Sequence, residues 1–256
     1  MSKASYHRIG LSKVIRLTLQ SLIVGFVIAS GGLTAQTLSL TRNLINFDST
    51  EGEQLLLESN ARQDYFPLSI HFVTQDNQAY CGVASMVMVL NALSLPAPEA
   101  SEYPGYHLFT QKNFFNNPKT EQVIAAETVA RQGMTLEELE KLLESYPVKA
   151  SVYHGSDVTL AEFRRLVKIN LQQPNNFVLV NYLRRTIGQE RGGHISPIAA
   201  YNEQSDRFLI LDVSRYKYPP VWVKAEELWQ AIATVDSVSG KTRGFVLISP
   251  RTSSKK

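Results

Sequence analysis

The sequence predicts an α+β domain. Apolar residues recur at helical spacing up to about residue 171, short apolar runs bounded by turn residues take over from Asn176, and the two patterns are not interleaved. Strict alternation would have indicated parallel βαβ units, whereas helices first and strands later favour an N-terminal helical half and a C-terminal antiparallel sheet half. A length of 256 residues with 44% hydrophobic content suits one globular domain with a sizeable core.

Residues 1–35 carry a basic stretch to Arg16, an apolar core from Leu22 to Ala29, and small or polar residues from Ser30 to Ala35. This pattern reads as an export signal cleaved after Ala35, which would deliver residues 36–250 to the periplasm. An uncleaved membrane anchor facing the periplasm is the alternative, because residues 17–41 carry no charge. Gln20, Ser21, Gly31, Gly32, Thr34 and Gln36 dilute that span against the roughly 20 mainly apolar residues of a bilayer crossing.

Beyond the leader, Glu53 to Ala61 suits a short helix and Tyr65 to Val73 an extended segment. Val83, Met86, Val87, Val89, Leu90 and Leu93 place a buried helix from Cys81 onward, closed by Asn91 and Ser94. Pro96 and Pro98 stop it, since neither can donate to a helix ladder. Glu99 to Asn117 reads as an ordered loop and Thr120 to Gln132 as a helix. Thr135 with Glu138, and Thr159 with Glu162, match capping boxes that each open an amphipathic helix. Strands are predicted over Phe177 to Leu183, Ile195 to Tyr201, Phe208 to Val213 and Phe245 to Ser249, with a helix over Ala225 to Ala233 before the last. Residues 251–256 read as a disordered tail.

The net charge of +3 is local. Four of the 26 basic residues lie in the first 35, which contain no acid, leaving 22 basic against 23 acidic side chains. Without a concentrated Lys/Arg face there is nothing to neutralise phosphates, which excludes nucleic acid as a partner.

Cys81 is the only cysteine and cannot form an internal disulfide. A thiol at a helix start faces unpaired N–H groups and the positive end of the helix dipole, both of which stabilise a thiolate. Gln75, six residues upstream, is placed to complete an oxyanion hole with the backbone N–H of Cys81. A small buried hydrophobe is the other reading of a lone cysteine.

Residues 202–206 form a polar turn between two apolar strands, the pattern of a hairpin. If Tyr201 pairs with Arg207 and no bulge intervenes, His194 opposes Ser214 and Ser196 opposes Asp212. His194 and Asp212 then share a face as diagonal neighbours, about 7–8 Å apart at the backbone. Asp212 interrupts an apolar run, where a bare carboxylate is costly unless bonded. A histidine nitrogen would satisfy it and leave the other nitrogen to exchange a proton with a thiol, giving a Cys-His-Asp site for acyl transfer on amides. Gly192 and Gly193 would let backbone approach a ligand, or would start the strand with a tight bend. His7, His71, His107 and His154 lack ligand spacing, and no CxxC or HExxH motif marks a metal site.

Several segments together resemble the phytochelatin synthase family: residues 74–85 with Asn91 to Leu93, Gly193 to Ile198 with Tyr201 and Asn202, Leu209 to Val213 with Arg215 to Val223, and Gly240 to Ser249. The Lys217-Tyr-Pro-Pro-Val-Trp-Val223 run is the most distinctive. The resemblance implies a papain-like cysteine-protease fold with Cys81 as nucleophile, His194 as acid and base, Asp212 as its orienting partner and Gln75 as oxyanion donor. It implies glutathione as substrate, a γ-glutamylcysteinyl thioester on Cys81, release of glycine, and transfer to a second glutathione or to water, with hydrolysis prominent. Arg184, Gly193, Asp236 and Arg243 are expected around the substrate, with the three charged residues at its charged ends. No bound cofactor is expected; a heavy metal such as cadmium or zinc would act as a thiolate complex of the substrate. A homodimer is a further expectation. A papain-like peptidase that cleaves peptide leaders, and a non-catalytic glutathione- or metal-binding module, remain as alternatives.

Overall fold

The computed structural model describes residues 36–251. The export signal or anchor expected over residues 1–35, and all of the expected tail except Arg251, lie outside them. Arg251 itself is held by its N–H on the Pro147 carbonyl at 3.0 Å and by its guanidinium on the Val148 carbonyl at 3.1 Å. The order of elements is β1 (Ile45–Asn46), α1 (Thr50–Glu58), α2 (Tyr65–Ile70), α3 (Cys81–Ala92), β2 (Glu99–Ala100), β3 (Tyr103–His107), α4 (Pro118–Glu121), α5 (Ala126–Gln132), α6 (Leu136–Glu144), β4 (Val148–His154), α7 (Leu160–Leu171), β5 (Phe177–Leu183), β6 (Gly193–Asn202), β7 (Arg207–Ile210), β8 (Val221–Lys224), α8 (Ala225–Ile232) and β9 (Gly244–Pro250).

Seven strands form one antiparallel sheet in the order β1-β8-β7-β6-β5-β9-β4. Helices and antiparallel sheet make the fold α+β, as expected, although both edge strands come from the helical half. Side chains alternate between two cores. Phe177 and Leu179 of β5 pack in the core shared with α3 and α6, while Val178, Val180 and Tyr182 pack in the core shared with α7 and α8. Because both faces are covered, β5 reads as a continuous apolar run. The α3 helix is buried from Gly82 to Leu90, the signature of a core helix, and each fully buried Leu, Val or Met there contributes roughly 1.5–3 kcal/mol.

The first half corrects several expectations. Tyr65 to Ile70 is helical rather than extended: Pro67 sits in the first turn, where its missing N–H has no helical partner to lose. The segment expected as a loop over 99–117 holds the β2–β3 hairpin, turned at Ser101 and Glu102, with Gly105 at φ of 84° where the pairing of β3 is irregular. The helix expected over 120–132 is two, with Pro118 at the first position of α4 and a break before α5. β1, β4 and β8 are additional to the strands expected. Both capping boxes are present.

The β6–β7 hairpin reaches the expected register by an unexpected route. Asn202 pairs with Arg207 and Tyr201 with Phe208, one residue off, and a bulge at Ala199 then returns Ile198 to Ile210. An extra residue in β6 thus compensates for a shorter turn.

Candidate active site

Cys81 occupies the first position of α3, with its first turn pinned to the sheet by the Ser85 hydroxyl, which donates to the carbonyls of Cys81 at 2.7 Å and Ile195 at 3.2 Å. Gly82 follows because a Cβ there would lie 2.7 Å from the Met134 sulfur. His194 opens β6, buried and edge-to-face with its cross-strand partner Tyr182 at 5.7 Å. Its Nε2 lies 2.8 Å from Asp212 Oδ1 and 2.9 Å from the Ser196 hydroxyl. With Nε2 committed, Nδ1 is the nitrogen available to the Cys81 thiol.

The charges of these groups reinforce one another. Burial alone would push the Cys81 thiol up, but the hydrogen bond and charge of His194, the backbone at Ile195 and the charge of Arg184 together hold it below its ordinary value. Burial likewise disfavours the imidazolium, and the Asp212 carboxylate outweighs it, so His194 titrates above its ordinary value. Asp212, fully buried, remains far below the usual carboxylate range because His194 and Arg184 more than offset its burial. A thiolate beside an imidazolium is the arrangement this electrostatics favours.

The three residues grouped by sequence therefore converge. Gln75 reaches the same neighbourhood but is engaged elsewhere: its Oε1 accepts from the Ser214 hydroxyl at 2.6 Å, and its Nε2 donates to the Asn77 carbonyl at 2.7 Å and to the Tyr216 hydroxyl at 3.2 Å. A cleft of about 440 Å³ opens onto Cys81 and His194 and is also lined by Asn181, Gly193, Asp236, Arg243 and Glu138. Arg243 donates to the Asn181 side-chain oxygen at 2.8 Å, and its second Nη stands 3.7 Å from Asp236. Of the residues expected around the substrate, Gly193, Asp236 and Arg243 line the cleft. Arg184 does not: it lies behind Asp212, bonded to both carboxylate oxygens.

Ser196 and Asn181 were not singled out from sequence. Each is a polar residue breaking an apolar strand run, the same signal that exposed Asp212. Among the described residues, no group of three or more His, Cys, Asp or Glu side chains is placed to hold a metal ion.

Comparison with known proteins places the chain in a family. The sequence profile of the phytochelatin synthase domain matches residues 35–245. Over 214 residues, 82% of the chain and 46% of the relative, it is 35% identical to glutathione gamma-glutamylcysteinyltransferase 2 of Arabidopsis thaliana. It is 33% identical to glutathione gamma-glutamylcysteinyltransferase 1 of Lotus japonicus over 80% of the chain and 40% of the relative. The corresponding protein of Schizosaccharomyces pombe is 28% identical over 82% of the chain and 50% of its own length. The chain thus spans half or less of these curated relatives. By the profile match and these identities, the chain belongs to the phytochelatin synthase family.

Proposed function

We propose that the protein is a glutathione γ-glutamylcysteinyltransferase working through a papain-like Cys81-His194-Asp212 thioester mechanism. The observation that carries this reading is the buried His194–Asp212 pair sharing a cleft with the Cys81 thiol, a cleft also lined with charged side chains. The Cys81 thiolate attacks the carbonyl carbon joining the cysteinyl and glycine units. The backbone N–H of Cys81 receives the oxyanion, joined by the Gln75 amide once it leaves the Asn77 carbonyl. Imidazolium His194 then protonates the departing nitrogen, the C–N bond breaks, and glycine leaves a γ-glutamylcysteinyl thioester. In the second half, neutral His194 takes a proton from the α-amine of another glutathione or from water, the new bond forms at the carbonyl, and the Cys81 thiolate is expelled.

Arg243 suits a substrate carboxylate and Asp236 an ammonium group, with Gly193 allowing close approach of backbone. A soft metal ion would enter as part of the substrate, bound to its thiolate. Export through the leader would place this chemistry in the periplasm. Among the described residues, no helix is long and apolar enough to cross a membrane.

Incubation of the purified protein with glutathione, with and without cadmium, tests the reading. Glycine release and longer γ-glutamylcysteine peptides are expected, with a thioester adduct by intact mass that Cys81→Ser lacks. Absence of both products from wild type sinks it, and cleavage of a leader peptide without glutathione turnover would favour a peptidase.

A further inference from the structure

Arg184 is a buried charge that the cleft does not use. It begins the 3-10 turn after β5 and is only 3% exposed. Its Nη1 donates to Asp212 Oδ2 at 2.7 Å and its Nη2 to Oδ1 at 2.9 Å; Nη1 also donates to Gln189 Oε1. The guanidinium stacks on Tyr218 with Cζ 5.2 Å from the ring centroid. The main chain is equally fixed: Arg184 N–H donates to the Gly192 carbonyl at 3.0 Å, and the Gln189 N–H donates to the Arg184 carbonyl at 3.1 Å. Reaching a substrate would first require breaking a buried ion pair, which leaves Asp212 uncompensated.

We propose that Arg184 is a positioning residue: by gripping both oxygens of Asp212 it orients the His194 ring toward Cys81 and sets the charge that ring experiences. The proposal rests on Cys81 and His194 being nucleophile and acid. An unopposed buried carboxylate would hold the His194 proton tightly and make it a poor acid toward the leaving amine. Papain-like proteases avoid this with a neutral amide in the third position. Here the guanidinium offsets the carboxylate, so the Asp212–Arg184 pair presents an oriented acceptor with little net charge. The groups facing Asp212 are His194 from β6, Arg184 from the turn, Tyr182 from β5, and the Ser214 N–H at 2.8 Å, with Cys81 on the far side of His194. Of the protonated groups, Arg184 alone carries a permanent positive charge.

The test compares wild type with Arg184→Gln and Arg184→Lys in two assays: alkylation of Cys81 by iodoacetamide across pH, which needs no substrate, and steady-state release of glycine from glutathione. Arg184→Gln is expected to lower kcat roughly 100-fold with KM within about twofold of wild type. Both limbs of its alkylation profile should move to higher pH, because Arg184 favours the Cys81 thiolate and disfavours the His194 imidazolium. Arg184→Lys keeps the charge and should return the limbs to their wild-type positions while recovering only part of kcat, since one ammonium cannot grip both oxygens. A raised KM with unchanged kcat would make Arg184 a substrate contact and overturn the proposal. So would lost activity with unmoved limbs. If Arg184→Gln does not fold, the lysine variant decides by the same criteria. If wild type alkylates as expected but does not consume glutathione, the transferase reading fails while the alkylation profiles still judge Arg184.

Discussion

Two charged groups, one behind His194 and one lining the cleft, are built differently. Beneath His194, Asp212 is wholly buried, and its two oxygens accept from Arg184, from His194 and from the Ser214 N–H at 2.7 to 2.9 Å. Along the turn that precedes β9, Asp236 and Arg243 come no closer than 3.7 Å, each with 11% of its side chain exposed, and Arg243 Nε is buried without a partner. The first group directs its charge inward and fixes geometry. The second leaves charge on offer to a ligand. Under the proposed function, committed charge would set reactivity and uncommitted charge would select substrate, so substitutions in the two groups should fail in different kinetic parameters.

The largest effect is expected at Asp212. Asp212→Asn should lower kcat by about 10⁴-fold, because one amide oxygen cannot accept from both Arg184 nitrogens and His194, and the amide NH₂ turned on the imidazole holds the wrong tautomer. It also strands a buried guanidinium, a loss of about 3–5 kcal/mol of stability. The pH dependence has a definite sign. A carboxyl held below its usual range in the fold contributes stability that is present above the ordinary carboxylate range and lost as pH falls through its folded value. Denaturant unfolding at neutral and acid pH should therefore show wild type converging on Asp212→Asn as the solution is acidified. A difference in stability that does not shrink with falling pH would mean the pair is not ionised as described.

The same two groups mark what was legible in the sequence. Cys81 announced itself as a lone thiol at a helix start, and His194 and Asp212 could be placed on one face because a hairpin is a local object with a period of two. Even there the agreement needed the bulge at Ala199 to cancel a one-residue error at the turn. Arg184 was assigned to the substrate because its chemistry suits a carboxylate, and only tertiary structure shows that the carboxylate it holds is Asp212. The misread segments lie mainly between Tyr65 and Gln132. In α2, Phe66 is 59% and Ile70 76% exposed, so apolar residues stand outside the core and the helical period is obscured. β4 was missed because Lys149 and Ser151 dilute it, and its position beside β9 is a contact distant in sequence.

A middle-sized effect should separate the two groups. With Arg243 on the substrate carboxylate as proposed, Arg243→Gln would remove a charged hydrogen-bond donor, which at about 1.5–3 kcal/mol corresponds to a rise of roughly 10- to 100-fold in KM. Its kcat should stay within a few fold of wild type, because the Cys81–His194–Asp212 line is untouched. Steady-state kinetics on glutathione over a range that saturates the variant would measure both. A fall in kcat at unchanged KM would erase the distinction between positioning and selecting charges.

The smallest effect sharpens the comparison by using two identical devices at different distances from the cleft. Thr135 and Thr159 each accept a hydrogen bond from the N–H of a glutamate three residues on, and the glutamate reaches back to the cap. Removing either hydroxyl should cost about 1 kcal/mol, a drop of roughly 2–4 °C in melting temperature for a domain of this size. Thr159 caps α7 and is remote from the cleft lining, so Thr159→Ala should change stability alone. Thr135 lines the cleft, and its partner Glu138 does too, with Oε2 bound to both the Thr135 N–H at 2.7 Å and the hydroxyl at 3.0 Å. Thr135→Ala frees that carboxylate from one restraint in the cleft that Arg243 also lines and should alter KM as well as melting temperature. Equal thermal shifts with a KM change confined to Thr135→Ala would show that the selecting side of the cleft is held in place by the start of α6, whereas unchanged KM in both variants would leave Glu138 with a capping role only.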